Sequence, residues 1–340
     1  MPAPLYSASC AETSMTQRTW MFLFFAVFCL ACFAAGYIGR RGNWIQEARS
    51  RDVHLHAVIW FWSPVAMLSF WHLPLTGTGS RDVLILMLAQ PATMILGAVA
   101  ADAIARLLNW DRRRRGVLVL CAGLSNHGFT LGAYLCYALL DPAQVALDLG
   151  IAYVTSMGVF MVLIFYPLAQ HFSDRPVESL ARVMSASFLT WRATPLYAAA
   201  AGLALNLAAV PWPQFVAEWH VTDGLFFLGA AGAYLGVGLR FRFGGAGHLW
   251  PLHTVLAVIH FGLYPLLAVS ILQVLEPVGL RPNSPADGVM ILEAFTPVAL
   301  YGVIVANLFD LDARLASRLW LCNTAIFCVV PLPLIIWWST

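Results

Sequence analysis

The sequence predicts an all-α polytopic membrane protein: ten transmembrane helices forming two inverted five-helix repeats, with helices four and nine broken and crossed. Three observations carry this prediction. The chain has 340 residues, 60% of them hydrophobic and only 11% charged; a soluble domain carries about 25% charged residues. Apolar runs recur along the whole length, each long enough to cross roughly 30 Å of hydrocarbon. The 19 basic residues are all arginine, and they sort to one side of the expected bilayer. Within this frame, 1–19 is an N-terminal tail, 20–170 the first repeat, 171–190 a connector carrying a short interfacial helix, and 191–340 the second repeat.

The ten spans run roughly over 20–39, 54–73, 82–107, 116–140, 148–169, 191–210, 222–239, 251–274, 287–309 and 316–338. The first is followed by Arg40 and Arg41, which predicts a reversed anchor and not a cleaved signal peptide. Its Cys29 and Cys32 lack a His or carboxylate nearby and read as small packing residues. Ser63-Pro64 in span two and Gln90-Pro91 in span three predict kinks, with the polar residue supporting the backbone. Span four reads "LCAGLSNHGFTLGAY": Asn126, His127 and Thr130 are polar, and Gly123, Gly128 and Gly132 interrupt the helical pattern. Spans five to seven are ordinary apolar runs. His253 and His260 share one face of span eight and read as packing residues. Span nine carries Glu293 and, one turn on, Thr296-Pro297. Asn307 and Asp310 close that span as caps, and span ten completes the chain.

The loops after the odd-numbered spans hold 16 of the 19 arginines; only Arg18, Arg81 and Arg281 lie on the other side. The positive-inside rule then puts both termini outside the cytoplasm. The run Asp111 to Gly116 ("DRRRRG") fits topology control and anionic-lipid contact better than nucleic-acid binding. An odd number of spans per half gives two halves of opposite orientation. Gly36 and Gly202 lie 166 residues apart, and Gly128 and Pro297 lie 169 apart. Interrupted helices at matching places in inverted halves point to a transporter's binding site. A broken helix exposes N–H and C=O groups that need partners, and its ends carry partial charge.

Several stretches resemble the auxin efflux carrier family, within the wider group that includes bile-acid/sodium symporters. "GYIGRRGNWIQEARSRDVHLHAVIWFWSPVAML" is similar to that family's first loop and second helix. "RRRRGVLVLCAGLSNHGFTLGAYLCYALL" resembles its Asn-x-Gly crossover helix, "TPLYAAAAGLALNLAAVPWP" its sixth helix, and "LGAAGAYLGVGLRF" its seventh. "EAFTPVALYGVIVANLFDLDARLASRLWLCNTAIFCVVPLPLII" resembles the final pair. The resemblance covers nearly the whole chain in order. It implies a scaffold of spans one, two, six and seven, a moving domain of the other six, organic-anion substrates and a homodimer through the scaffold. It matches Asn126 to the crossover Asn, Gly128 to the Gly after it, and Pro297 to a crossover Pro. The chain departs from the pattern at Ser125, His127, Phe129, Ala133-Tyr134 and Val298.

These readings predict a membrane transporter, an efflux permease for a small organic anion, with no catalytic residues, metal or cofactor. Asn126, His127, Gly128, Thr296, Pro297 and Gln90 are the expected substrate-binding residues; His127 and Glu293 are the expected ion-coupling residues. Moving an anion out of a negative cytoplasm is favourable by about 2.3 kcal/mol per charge for each ~100 mV, so efflux needs no coupling, whereas uptake needs H⁺ or Na⁺. Arginine richness and compactness point to a bacterial inner membrane. Two alternatives stand beside efflux: a sodium-coupled uptake symporter, and a non-transporting sensor or assembly subunit that kept the fold. A membrane enzyme is not expected. The chain has no His-Glu-x-x-His, Gly-x-Ser-x-Gly or phosphate-binding loop.

Overall fold

The computed structural model describes residues 15–173, 191–241 and 249–339, with positions 179, 182, 188 and 189 between them. The tail up to residue 14 and the interfacial helix expected in 171–190 lie outside the described residues. The chain is 80% helix and has no strand among the described residues. In chain order the helices are α1 (Met15–Arg41), α2 (Arg49–His72), α3 (Gly79–Leu107), α4 (Arg112–Gly123), α5 (Gly132–Leu139) and α6 (Ala143–Phe172). There follow α7 (Thr194–Leu207), α8 (Val221–Arg240), α9 (Trp250–Leu275), α10 (Ala286–Ala294), α11 (Leu300–Leu308) and α12 (Ala313–Trp337).

Seven of these, α1, α2, α3, α6, α8, α9 and α12, are long and apolar enough to cross a membrane. By length and composition they mark a membrane-embedded protein. The other three expected spans take different forms. Spans 116–140 and 287–309 are each split into two short helices, and the helix within 191–210 has 14 residues.

Side-chain patterning explains which way each helix turns. In α3, Leu84, Leu88, Ile95 and Val99 form one exposed stripe, while Leu86, Gln90, Met94, Gly97 and Ala101 are buried. An exposed apolar stripe is costly in water and natural against lipid. Three helices carry a wide π-type turn just ahead of an X-Pro pair: Ala57–Trp62 before Ser63-Pro64, Met161–Phe165 before Tyr166-Pro167, and Ile259–Leu263 before Tyr264-Pro265. Proline has no N–H to give and its ring crowds the preceding turn, so the helix widens there. Ser63 supports the wide turn by donating its hydroxyl to the Val58 carbonyl (2.8 Å). In α3 the helix runs through Pro91 without a break. Asp111 and Asp312 cap α4 and α12, accepting the Arg114 and Leu315 N–H groups (3.0 and 2.9 Å).

The helices pack as two groups. In one, α1 lies along α8, α2 lies along α7, and α8 joins α2. Glycines set this closeness. A Cβ on Gly36 would fall 2.2 Å from the Leu235 carbonyl oxygen, one on Gly202 would fall 2.1 Å from that of Met67, and one on Gly238 would fall 2.0 Å from that of Phe33. Small residues let membrane helices approach backbone to backbone, where dispersion replaces the missing hydrophobic drive. The second group gathers α3 to α6 with α9 to α12. Across the seam, Phe25 of α1 stacks on Tyr134 of α5 (3.9 Å between ring centres), with Phe226 and Phe227 of α8 beside them. His72 of α2 also meets the buried Asp148 of α6 (2.6 Å).

Candidate functional site

The two interruptions meet. Residues 124–131 between α4 and α5, and 295–299 between α10 and α11, pair as a short antiparallel bridge at Ser125 and Val298. Asn126 donates its N–H to the Pro297 carbonyl (2.6 Å), and Ala299 donates to the Leu124 carbonyl (2.7 Å). Gly128 opens the first interruption. It adopts φ +64°, and a Cβ there would fall 2.3 Å from a Val154 methyl. Both the backbone and the space require glycine.

Helix ends freed inside a dry protein must find partners, and several of these are side chains. The Asn323 amide oxygen accepts the Val298 N–H (2.8 Å). His260 donates from Nε2 to the Cys121 carbonyl (3.0 Å) and receives the Ser125 hydroxyl at Nδ1 (3.1 Å), next to the Thr296 carbonyl (3.2 Å). Tyr264 donates to the Ala122 carbonyl. His260, expected only to pack, therefore ties the end of α4 to the first interruption. Periodicity did not separate these roles, because a buried histidine reads the same in either.

At the crossing, His127 and Glu293 form a buried pair, Nδ1 to Oε2 at 3.0 Å, with side chains 1% and 0% exposed. The Gly128 N–H points at the other carboxylate oxygen (3.4 Å). Thr296 donates its hydroxyl to the Glu293 carbonyl (2.7 Å), leaving an oxygen lone pair 3.0 Å from His127 Nδ1. Both acceptors converge on Nδ1, so this network puts the imidazole proton there. Nε2 is then a buried nitrogen with no hydrogen-bond partner among the described residues. The Tyr153 ring meets the imidazole edge-on at 5.0 Å. Glu293 itself lies in a glycine cradle, since a Cβ on Gly132 would fall 2.0 Å from Oε2.

A cavity of about 950 Å³ reaches this crossing. It follows the chain from Glu47 into α2 as far as Trp62. At one end Ser125, Asn126 and His127 meet the first turn of α11 at Ala299, Leu300 and Tyr301. Arg51 in the first turn of α2, Arg240 at the end of α8 and Arg314 in the first turn of α12 also line it. The helix N-terminus and three guanidinium groups give it a positive character that suits an anion. The arginines belong to the Arg-rich side read from the sequence, yet sequence reasoning missed them as site residues. Their loop positions signalled topology, and only the packing of three distant helix ends turns them into one wall.

Of the expected site residues, the structure brings Asn126, His127, Gly128, Glu293, Thr296 and Pro297 together. Among these, Asn126 and His127 line the cavity; Gly128, Glu293, Thr296 and Pro297 lie behind the wall. The Asn126 amide hydrogen-bonds Tyr234 of α8. Gln90 is buried away from the cavity wall, where its amide oxygen accepts the Ser156 hydroxyl (3.3 Å). The Asn307 side chain lies outside the described residues, and Asp310 occupies a left-handed turn after α11 (φ +61°). No protein-family model and no curated protein matches the chain.

Proposed function

We propose that this protein is a secondary transporter of a small organic anion, and that it works by elevator-type alternating access. The carrying observation is that two interrupted helices, far apart in sequence, pair at a cavity lined by Arg51, Arg240 and Arg314. In this reading the substrate's negative group binds near Asn126 and the α11 N-terminus. The group α3 to α6 with α9 to α12 moves across α1, α2, α7 and α8. The apposition of an aromatic cluster and a few separate polar pairs (His72–Asp148, Tyr137–Asp223, Asn126–Tyr234) at the seam, in place of interlocked glycines, favours sliding there.

The ten-span inverted repeat belongs to the same proposal. If each span corresponds to the one five later, contact of the first with the seventh implies contact of the sixth with the second. The extensive α1–α8 and α2–α7 contacts match that exchange. So do Gly36 against Leu235 and Gly202 against Met67. Charge bias then orients both termini outside the cytoplasm of an inner membrane, and a homodimer would use α1, α2, α7 and α8.

Ligand-induced thermal stabilisation of the purified protein tests the reading. Acetate, succinate and benzoate would be compared with and without Na⁺, at two pH values, beside Asn126→Ala. Binding to the folded state raises stability by mass action, about 2.7 kcal/mol at a hundred times Kd. A shift with one anion that disappears in the variant is the expected result. No shift with any anion would move weight to the sensor or assembly-subunit alternative.

A further inference from the structure

We propose that the ion coupled to the anion is the proton, taken up by Glu293 through His127, and that Na⁺ has no site there. This rests on the transporter reading above and selects between its two coupling ions.

The surroundings of Glu293 are wrong for a metal cation. Both carboxylate oxygens face nitrogen donors, His127 Nδ1 at 3.0 Å and the Gly128 N–H at 3.4 Å. A hard cation needs several converging oxygens. The nearest hydroxyl, that of Thr296, is turned to the Glu293 carbonyl. Space is closed too: Cβ positions on Gly132 and Gly150 would fall 2.0 and 3.3 Å from the carboxylate oxygens. A sodium ion would have to expel the imidazole, whereas a proton needs no room.

The same geometry supplies a route. In the unloaded state neutral His127 donates Nδ1–H to the Glu293 carboxylate. A proton arriving at Nε2 forms an imidazolium, which passes its Nδ1 proton to Oε2. The product is neutral imidazole protonated at Nε2, accepting a hydrogen bond at Nδ1 from the Glu293 carboxylic acid. One proton is gained, the 3.0 Å contact persists, and the pair changes from one negative charge to none. His127 is part of the cavity wall, but its Nε2 is buried. Proton access therefore waits on movement of that wall. The other titratable groups interacting with the pair are Tyr153 from α6, Cys136 from α5 and His260 from α9. Farther along the cavity are Glu47, Arg51, His54, Arg240 and Arg314. His260 is held by the Cys121 carbonyl and the Ser125 hydroxyl, so it offers no second relay.

Anion and proton then bind cooperatively. An anion beside Asn126 is repelled by ionised Glu293 and not by its acid. Two charges several ångströms apart at protein-like dielectric couple by on the order of tenfold to a hundredfold in affinity. The pair moves in the same direction, and transport of a monocarboxylate is electroneutral.

The test uses the purified full chain in detergent, with benzoate and succinate as probes and a pH dye in weak buffer. Acidification is expected to tighten binding tenfold to a hundredfold, with about one proton taken up per anion and no Na⁺ effect. Glu293→Gln mimics the loaded state, so it should bind tightly at every pH and take up no proton. His127→Gln should keep the equilibrium pH dependence but slow proton uptake at least tenfold. Na⁺-dependent binding, or a pH dependence that survives Glu293→Gln, would overturn the proposal while leaving the transporter reading standing. If neither probe binds, infrared spectroscopy still decides. A buried carboxylic-acid carbonyl stretch should appear on acidification of the native chain and be missing from a normally melting Glu293→Gln. Its absence from the native chain overturns the proposal.

Discussion

The two helix groups solve the same problem, holding helices together without a hydrophobic drive, in opposite ways. In α1, α2, α7 and α8 the solution is steric: Gly36, Gly202 and Gly238 let backbones touch. Polar contacts there cluster at helix ends, as where Asn206 donates toward the Phe70, Trp71 and Leu73 carbonyls. In the other group the helices are deliberately broken, and His260, Asn323, Glu293, Thr296 and Tyr264 satisfy the freed backbone. At these glycine contacts the first arrangement tolerates no added volume. The second tolerates no lost hydrogen-bond partner. In the transport proposed above, the glycine-packed group would serve as the frame and the partner-dependent crossing would move against it.

The largest break in this contrast should come from adding volume to the frame. Gly36→Leu and Gly202→Leu should each cost about 3 kcal/mol or prevent assembly, because the facing atom is an immovable carbonyl. Thermal melts in detergent measure this. Next is loss of charge from the crossing. Glu293→Ala leaves buried His127 without its partner and should cost about 3 kcal/mol, whereas Glu293→Gln keeps a hydrogen-bond acceptor and should cost less than half of that. Chemical denaturation of the two variants separates volume from pairing; equal losses would sink the polar account of this group. Asn323→Leu, which orphans the Val298 N–H, should cost about 1–2 kcal/mol.

The smallest stability effects sharpen the comparison. Gly224→Ala and Gly262→Ala meet nothing within 4 Å and should leave stability unchanged or raise it by up to about 1 kcal/mol. Replacing Arg51, Arg240 or Arg314 with Gln should shift stability by less than about 0.5 kcal/mol. The same changes should weaken anion binding severalfold at low salt and less at high salt, since exposed charges are screened. Calorimetric titration at two ionic strengths reads that difference. A salt-independent loss would mean direct contact in place of a diffuse field.

Much of this was legible because membrane helices obey one-dimensional rules. Apolar runs of sufficient length, arginine clusters at their ends, and glycine or proline at Gly128 and Pro297 each act through the local backbone, so they can be read along the chain. The same rules placed the two interruptions and named Asn126, His127, Gly128, Thr296 and Pro297. They do not distinguish Gln90, which lies off the cavity wall, because a polar residue before a proline looks alike whether it faces a cavity or, as here, Ser156. They also passed over Ser125, His260 and Asn323. A buried serine, histidine or asparagine has no periodicity that reveals its partner.

By itself, then, the sequence determined the helices, their interruptions and the asymmetry of charge, all of which follow from backbone chemistry and transfer free energy along a single segment. Only the tertiary structure decided that Glu293 would be met by His127, that Asn323 would complete a bridge begun at Asn126, and that three arginines from three helix ends would line one cavity. These are contacts between residues more than a hundred positions apart, or on separate helices. They depend on how helices cross, and the crossing is set by glycine contacts and paired backbone that no single segment contains.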